Sequence, residues 1–369
     1  MTAFEMSSVE AEMPDSEGGA TPPRGHKGDR GGRAGIRHVA ARAGVSVTTV
    51  SHALNGTRFV SDEARAKVEE ASRALGYVPS EVARWLKHNT TRTLGMLVPN
   101  NSNPYFAEII RGVERRCHAA GYSLLLCNSD DDGERQADHL RALAERRIDG
   151  LVLVAAGDDE QIVESCAGLR IPLVLVDREI DSISADLIEV DHAAGGELAT
   201  AHVLSLGHQR VACIGGPAQL RPSQQREAGW RRGLARAGIE PRADELERGD
   251  FDAPGGARAL RRLLDSPKPP TAVFVCNDLM AIGALHAAHE AGVNVPAQLS
   301  IIGFDDIELA AYTMPPLTTI AQPKEAIGSG AAEMLLERLR DGRREPSRQI
   351  LQPELKLRRS CASPMSGRS

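Results

Sequence analysis

Polar and charged side chains follow several strongly apolar stretches of the sequence, at the point where each stretch ends. They are Asn103, Asp177, Arg178, Asn277 and Asp305. Carboxylates, amides and guanidinium groups that come together can hold a polyhydroxylated molecule through charge-assisted hydrogen bonds. These residue types therefore predict reversible binding of a small polar ligand.

Residues of the kind that carry out covalent chemistry lack the partners that such chemistry requires. Six histidines fall in helical stretches without a Ser or Cys partner in a motif: His118, His192, His202, His208, His286 and His289. No Walker or GxGxxG loop follows a strand, and the six cysteines form no CxxC pair. Scattered cysteines of this kind are typical of small buried side chains in a reducing compartment. The sequence predicts a protein that is not an enzyme and has neither a cofactor nor a metal site.

The elements that must position the polar residues alternate between short apolar runs and helical stretches. Near-continuous apolar runs are typical of parallel strands covered by helices on both faces. One helix is predicted over 104–120, between Pro104 and Gly121, from apolar residues at helical spacing. Residues 93–361 exceed one sheet, so we expect two α/β subdomains with a cleft between them, the chain crossing near residues 191 and 321. Ligands bind beyond the carboxyl ends of such strands.

Composition and charge divide the 369-residue chain into regions of different character. Residues 1–33 are rich in Gly, Pro, Ser and acidic residues, and predict a disordered tail. We expect an all-α head at 34–78, a hinge helix and linker at 79–92, a ligand-binding and dimerisation body at 93–361, and a tail at 362–369. The net charge is −6, yet residues 36–92 carry nine Lys/Arg against five Asp/Glu. A basic head on an acidic body predicts a nucleic-acid partner.

Membrane and secretion signals are missing from the sequence. No apolar run approaches the ~20 residues that cross a bilayer. The first residues lack the basic and apolar regions of a signal peptide. We therefore expect a cytoplasmic protein without a membrane partner.

Residues 36–55 have the pattern of a helix–turn–helix. Val39, Ala40 and Ala43 form one apolar face, Gly44 permits a tight turn, and Ser46 can cap a second helix. On that second helix Val50 and Leu54 are expected to face inward. The outward residues, where a recognition helix faces the major groove, are Val47, Thr48, Ser51 and His52. A third helix is predicted over 61–75. The pattern alone fits a generic three-helix bundle equally well.

Several short motifs decide between these alternatives. They are Ala43-Gly-Val-Ser46, Thr49-Val-Ser-His52, Leu54-Asn55, Thr57-Arg-Phe-Val60, Gly76-Tyr77 and the stretch Pro79–Leu86. In this order they closely resemble the lactose/galactose repressor family of bacterial transcriptional regulators, and the resemblance continues to about Arg359. Within that family the Ser51-His52 pair and the Thr57–Val60 motif are most similar to the ribose and purine repressors.

The resemblance implies roles for residues of the head. Val47, Thr48 and His52 would read base edges in the major groove. Contacts to phosphates are implied for Ser46, Thr49, Ser51, Asn55 and Arg58. A hinge helix at 79–88 would insert Leu86 into the minor groove as a wedge, with Lys87 as a further DNA contact. The family usually opens its first helix with Thr and carries an acid three residues later. Gly35 and His38 stand there instead, which removes a dipole interaction of about 0.3–1 kcal/mol.

For the body, the resemblance extends to periplasmic sugar-binding proteins, and the implied ligand set is that of ribose-binding proteins. It comprises Asn103, Tyr105, Phe106, Asp177, Arg178, Arg226, Phe251, Asn277, Asp305 and Gln322. Phe106 and Phe251 would sandwich a sugar ring. Ribose fits this set, although Ala155 and Ala156 stand where ribose binders often carry a polar residue. Another sugar or polyol, or a purine base stacked on Tyr105 and Phe106, remains an alternative.

The family further implies a homodimer on a two-fold-symmetric, palindromic operator. Ligand in the cleft would change the orientation of the two subdomains relative to each other and so move the hinge segments. The helix 104–120 would lie in the dimer interface. The chain is thus expected to be a ligand-responsive transcriptional regulator, most simply a repressor. A sugar-binding transport protein would explain the body but neither the helix–turn–helix nor the missing signal peptide.

Overall fold

The computed structural model describes residues 34–55, 58–77, 90–157, 159–343 and 345–364. They form two compact units, of which 34–77 is one and 90–364 the other. The sequence-based expectations for the tail 1–33, for the hinge helix 79–88 with Leu86 and Lys87, and for residues 365–369 lie outside the described residues. Within those ranges, no helix has the length and apolar character that a membrane span requires.

The small unit consists of α1 (Ile36–Ala43), α2 (Val47–Asn55) and α3 (Asp62–Ala74). One apolar cluster holds them together, made of Val39, Ala40, Ala43, Val50, Ala53, Val60, Val68 and Ala71. Gly44 joins α1 to α2 with a φ of +66°, a value that glycine adopts without strain. The predicted inner face of α1 is confirmed. On α2, Val50 and Ala53 are buried, and Leu54 packs against the same cluster but is only half-buried.

The start of α1 uses an unexpected hydrogen bond. Gly35 has no side chain to cap the helix, but its backbone N–H donates to His38 Nδ1 at 3.0 Å. An acidic or amide side chain at this position makes the same reach-back contact in a capping box. His38 therefore makes a capping contact at the start of α1, although it does not supply the acidic charge that the family usually carries there.

The large unit contains two six-stranded sheets. The strands of the first sheet are β1 (Thr93–Val98), β2 (Ser123–Asn128), β3 (Gly150–Leu153), β4 (Leu173–Val176), β5 (Asp186–Val190) and β11 (Arg348–Leu351). Those of the second are β6 (Val211–Gly215), β7 (Leu246–Arg248), β8 (Ala272–Val275), β9 (Ser300–Asp305), β10 (Thr318–Ala321) and β12 (Glu354–Lys356). The strand orders are β11-β5-β4-β3-β1-β2 and β12-β10-β9-β8-β6-β7. β10 and β12 pair antiparallel, whereas the other strand pairs are parallel.

Eight helices of the described large unit cover these sheets. They are α4 (Pro104–Ala119), α5 (Gly133–Glu145), α6 (Asp159–Cys166), α7 (His192–Ser205), α8 (Arg221–Arg236), α9 (Ala253–Leu264), α10 (Asp278–Glu290) and α11 (Lys324–Asp341). The central strands β3, β4 and β8 are buried along their whole length, as their unbroken apolar sequences require. The fold class, two parallel-sheet α/β subdomains and an all-α head, is confirmed.

The two sheets with their helices form two lobes. The amino-terminal lobe contains β1–β5, β11 and helices α4–α6 and α11, and the carboxyl-terminal lobe contains β6–β10, β12 and α7–α10. The chain passes between the lobes after β5, after β10 and between β11 and β12. The sequence pattern contains no sign of the third passage, because β11 and β12 are short and partly exposed.

Candidate functional sites

A cleft of about 630 Å³ lies between the two lobes of the large unit, where the carboxyl ends of the strands meet. Nine of the ten predicted ligand residues line it. The amino-terminal lobe contributes Asn103, Tyr105, Phe106, Asp177 and Arg178, and the carboxyl-terminal lobe contributes Arg226, Phe251, Asn277 and Asp305. The volume falls within the range of about 300–1,000 Å³ that is typical of small-molecule sites.

The tenth residue, Gln322, lies behind the wall of the cleft and not in it. Its side chain is buried, with Nε2 donating to Asp305 Oδ1 at 2.8 Å and Oε1 accepting from the Tyr105 hydroxyl at 3.1 Å. The contact between Gln322 and the ligand that the resemblance implies stays a prediction, and in this structure the amide bonds two residues that line the cleft. Gln322 fixes one residue of each lobe, because it belongs to the passage that follows β10.

The backbone is strained at three residues of the cleft wall. Asp177, Phe251 and Asp305 have φ values of +78°, +61° and +113°. Residues other than glycine rarely adopt such values, which cost about 1–3 kcal/mol each. Asn277 supports one of them by donating from Nδ2 to the Phe251 carbonyl at 2.9 Å. Strain that neighbouring contacts maintain is typical of ligand-binding sites.

Arg226 and His192 join the two lobes beneath the cleft. Arg226 donates from Nη1 to the Cys276 carbonyl at 2.6 Å and from Nε to His192 Nδ1 at 3.3 Å. The other ring nitrogen, His192 Nε2, lies 3.0 Å from Asp177 Oδ1. Because Nδ1 accepts from Arg226, the nitrogen that is available to carry a proton is Nε2, on the side of Asp177. Sequence reasoning missed His192, although its position directly after a strand, beside Asp191, was a usable signal.

The two carboxylates that face each other across the cleft have different acidities. Burial opposes the ionisation of Asp177, but His192, Arg226 and the hydrogen bonds from His192 and Tyr105 together lower its pKa. Burial raises the pKa of Asp305 to about 6, against the opposing effects of Arg226, Gln322 and Lys324. Burial also raises the pKa of Tyr105 well above its ordinary value. Tyr105 therefore remains a hydrogen-bond donor at neutral pH.

Several cleft residues also hold the walls of the cleft. Asn103 Oδ1 caps α4 by accepting from the Tyr105 N–H at 3.0 Å, and Asn277 Oδ1 caps α10 by accepting from the Met280 N–H at 2.9 Å. Arg178 donates from Nη2 to the Gly157 carbonyl at 2.6 Å. Each retains acceptor lone pairs or N–H groups beyond these bonds, so a wall contact and a ligand contact are compatible.

In the small unit, α2 and the residues on either side of it contain the described residues that were predicted to meet DNA. Ser46, Val47, Thr48, Asn55 and Arg58 are exposed, and Thr49, Ser51 and His52 are half-buried. Ser46 Oγ caps α2 by accepting from the Thr49 N–H at 3.0 Å, and Asn55 Nδ2 lies 3.4 Å from Ser51 Oγ. A basic unit with a polar, outward-facing second helix has the geometry of a helix–turn–helix reader.

The all-α unit with its exposed second helix and the two-lobed unit with its polar cleft together define a ligand-responsive DNA-binding regulator. Residues 35–80 match the model of bacterial regulatory proteins of the lacI family, and residues 200–361 match a periplasmic binding protein-like domain. Two relatives are each 42% identical to this chain. The HTH-type transcriptional repressor PurR of Aliivibrio salmonicida aligns over 88% of the chain and 98% of its own length. The ribose operon repressor of Escherichia coli K12 aligns over 88% and 99%.

Solved structures agree with these matches. The lac repressor dimer bound to operator and the anti-inducer ONPF superposes with a TM-score of 0.82 at 29% identity, covering 90% of this chain and all of that one. A LacI family regulator from Enterococcus faecium with bound ribose gives a TM-score of 0.66 at 32% identity, over 73% and 99%. The chain belongs to the LacI family of bacterial transcriptional regulators. Members of this family bind operator DNA, respond to small-molecule effectors and dimerise, and the relatives named here are transcriptional repressors.

Proposed function

We propose that this protein is a repressor whose cleft binds a sugar, with D-ribose as the favoured effector. The observation that carries the proposal is the meeting of nine side chains from two lobes around one cleft. Asp177, Asp305, Arg178 and Arg226 supply charged acceptors and donors, and Phe106 and Phe251 supply apolar ring faces. This combination suits a molecule with hydroxyl groups on its edge and C–H groups on its faces.

The repressors that resemble this chain make a purine base the second candidate, since one of them is named for purines and is as similar as the ribose repressor. A flat base could stack on the same aromatic residues. Its ring nitrogens, however, need donors and acceptors at fixed places in the plane. Pro222 lines the cleft on the side of α8 and offers neither. The absence of a polar side chain at this one position favours the sugar.

In the DNA interface, Val47, Thr48 and His52 would contact base edges in the major groove. Ser46, Thr49, Ser51, Asn55 and Arg58 would contact phosphates, and Leu86 and Lys87 would contact the minor groove. The domain limits proposed are 34–78 for the head, 79–92 for the hinge and 93–361 for the body. The protein would act in the cytoplasm, without catalysis, by coupling two binding equilibria.

Effector binding would act on DNA through the relative setting of the lobes. A sugar that contacts both lobes stabilises one lobe arrangement over another, and its differential affinity sets the size of the effect. In a homodimer this change alters the spacing of the two heads on a palindromic operator. The helix α4 is proposed as one part of the dimer contact. A second part is the exposed apolar surface of Leu309, Tyr312 and Met314, which a second copy of the chain would cover.

A thermal-shift screen of the full chain tests the effector. D-ribose, other pentoses and hexoses, and purine bases would be added separately, and each ligand that raises the melting temperature would be added to an operator-binding assay. We expect D-ribose to stabilise the protein and to change operator affinity. Phe251→Ala should abolish the stabilisation, while Phe59→Ala, an exposed aromatic of the small unit, should preserve it. Stabilisation by a purine and by no sugar would overturn the proposal.

A further inference from the structure

Arg221 reaches across the cleft from one lobe to the other. It is the first residue of α8 in the carboxyl-terminal lobe, and its neighbours Leu220 and Pro222 both line the cleft. Its Nη1 donates to the Glu179 carbonyl at 3.3 Å and lies 3.5 Å from Asp181 Oδ1. Its Nη2 lies 3.6 Å from Glu179 Oε2. One guanidinium thus makes three contacts with the amino-terminal lobe.

The acceptor side of this bridge is anchored in its own lobe. Glu179 comes two residues after Asp177, and its Oε2 pairs with Arg348 Nη1 at 3.0 Å. Arg348 opens β11 and also pairs with Glu189 of β5 at 2.5 Å. Glu179 is therefore held between a residue of its own sheet and Arg221 of the opposite lobe. An anchored carboxylate loses less side-chain entropy when it pairs, which favours the bridge.

The bridge differs from the other polar contacts between the lobes. Tyr105 meets Gln322, and Asp177 meets His192, in the buried region where the chain passes between the lobes. Breaking those contacts would leave buried polar groups without partners. The side chains of Arg221 and Glu179 are each 38% exposed, so water can replace their contact at little cost. A contact of this kind can break and form again as the cleft opens and closes.

We propose that Arg221 is a positioning residue, which with Glu179 and Asp181 forms a strap that holds the cleft closed without touching the effector. None of the three residues lines the cleft. The strap shifts the equilibrium between open and closed lobes, and the affinity for an effector that needs the closed cleft scales with the closed fraction. The effect on effector affinity rests on the proposed function; the effect on lobe closure does not.

Hydrogen exchange of the full chain tests the strap without any ligand. The readout is the amide exchange of Ala155 and Gly157, which line the cleft in the amino-terminal lobe. The amides of Val154 and Ala156 donate to acceptors of their own lobe and serve as internal references.

In Arg221→Ala we expect the amides of Ala155 and Gly157 to exchange about two- to fivefold faster, the range for a partly exposed ion pair. Arg221→Lys should give a smaller increase, because an ammonium lacks the guanidinium fork. Asp181→Asn should also give a smaller increase, because it removes the charge of one partner and leaves both contacts with Glu179 in place.

The matched control is Arg231→Ala on the same helix. Arg231 pairs with Glu227 at 2.9 Å within its own lobe and is 47% exposed, so its loss should not change exchange in the opposite lobe. At about 1 M salt the Debye length falls to about 3 Å, and the difference between the parent and Arg221→Ala should vanish. Equal exchange in Arg221→Ala and Arg231→Ala, or a difference that persists at high salt, would overturn the strap.

D-ribose serves as the effector probe in a second measurement. Affinity follows the closed fraction and exchange follows the open fraction. For a cleft that is mostly closed, the rise of Kd in Arg221→Ala, determined by calorimetry, should therefore be smaller than the rise of the exchange rate, and Kd should stay unchanged in Arg231→Ala. If D-ribose does not bind the parent protein, the proposed effector is wrong, while the exchange comparison still decides the strap. A rise of Kd larger than the rise of the exchange rate, or a fall of Kd, would disprove the link between closure and affinity.

Discussion

The guanidinium of Arg226 lies 3.5 Å from the carboxylate of Asp305, and both side chains are almost completely buried. This attraction does not fully offset the burial of the carboxylate, because the pKa of Asp305 is raised to about 6. On the other side of the cleft the opposite balance holds, since the pKa of Asp177 is lowered by His192 and Arg226 in spite of burial. Ionised Asp305 therefore lowers the free energy of unfolding at neutral pH, whereas ionised Asp177 raises it.

The first prediction concerns the pH dependence of stability. A carboxyl whose folded pKa is raised contributes stability that is fully present below its unfolded pKa and is lost as the pH rises through the folded value. Asp305→Asn should therefore raise the free energy of unfolding at pH 7.5 by about 1–3 kcal/mol, and the gain should shrink to nothing near pH 4. Asp177 has a lowered pKa, so Asp177→Asn should be destabilising at pH 7.5 and less so as the pH falls.

Urea unfolding of the ligand-free protein at a series of pH values measures both variants, each serving as the control for the other. A loss of stability at pH 7.5 in both variants would mean that attraction to Arg226 outweighs the burial of Asp305. Both variants should bind the effector more weakly, because each replaces a charged acceptor by a neutral amide.

The second prediction concerns His192, which lies between Asp177 and Arg226. In His192→Ala both charged groups lose a buried partner, which costs about 1–3 kcal/mol. We expect a tenfold or larger loss of effector affinity, about 1.4 kcal/mol or more, because the two groups that face the ligand are no longer held. His202→Ala on the same helix α7 is the control and should retain the affinity. Calorimetric titration gives the comparison, and an unchanged Kd in His192→Ala would remove His192 from the site.

The third prediction concerns the contact between α7 and α8, the helix that carries Arg226. A Cβ added at Gly196 would lie 2.2 Å from the Arg226 carbonyl oxygen, a backbone atom that cannot move aside. Gly196→Ala should lower the free energy of unfolding by about 1–3 kcal/mol, as overpacking does. Gly168→Ala, where a Cβ has nothing within 4 Å, should be neutral. Chemical unfolding of the two variants tests the prediction. Equal free energies of unfolding in Gly196→Ala and Gly168→Ala would mean that α7 and α8 move apart without cost.

The sequence contains enough to place nine cleft residues, because polar side chains at the carboxyl ends of apolar runs converge in a parallel sheet. Gln322 follows the same rule, yet it lies behind the wall, since only the folded chain shows which face of the passage after β10 meets the cleft. His192 and Arg221 were missed for a related reason. Their partners, Asp177 and Glu179, lie in the other lobe, and no pattern in one sequence reports which side chains of two lobes meet. Leu54 was expected to face inward and is half-buried, because the spacing of apolar residues predicts which side of a helix faces the core but not how deeply each residue is buried.

The fourth prediction separates base reading from phosphate binding in the small unit. His52 is half-buried on α2 and is proposed to reach a base edge, whereas Arg58 is exposed after α2 and is proposed to neutralise a phosphate. His52→Ala should cost about 1–3 kcal/mol on the cognate operator and little on unrelated DNA. Arg58→Ala should weaken binding to all sequences and reduce the slope of log K against log salt by about one. Leu86→Ala should weaken operator binding without changing effector affinity. Fluorescence anisotropy with operator and scrambled duplexes at several salt concentrations measures all three. Equal losses of His52→Ala on both duplexes would place His52 among the phosphate contacts.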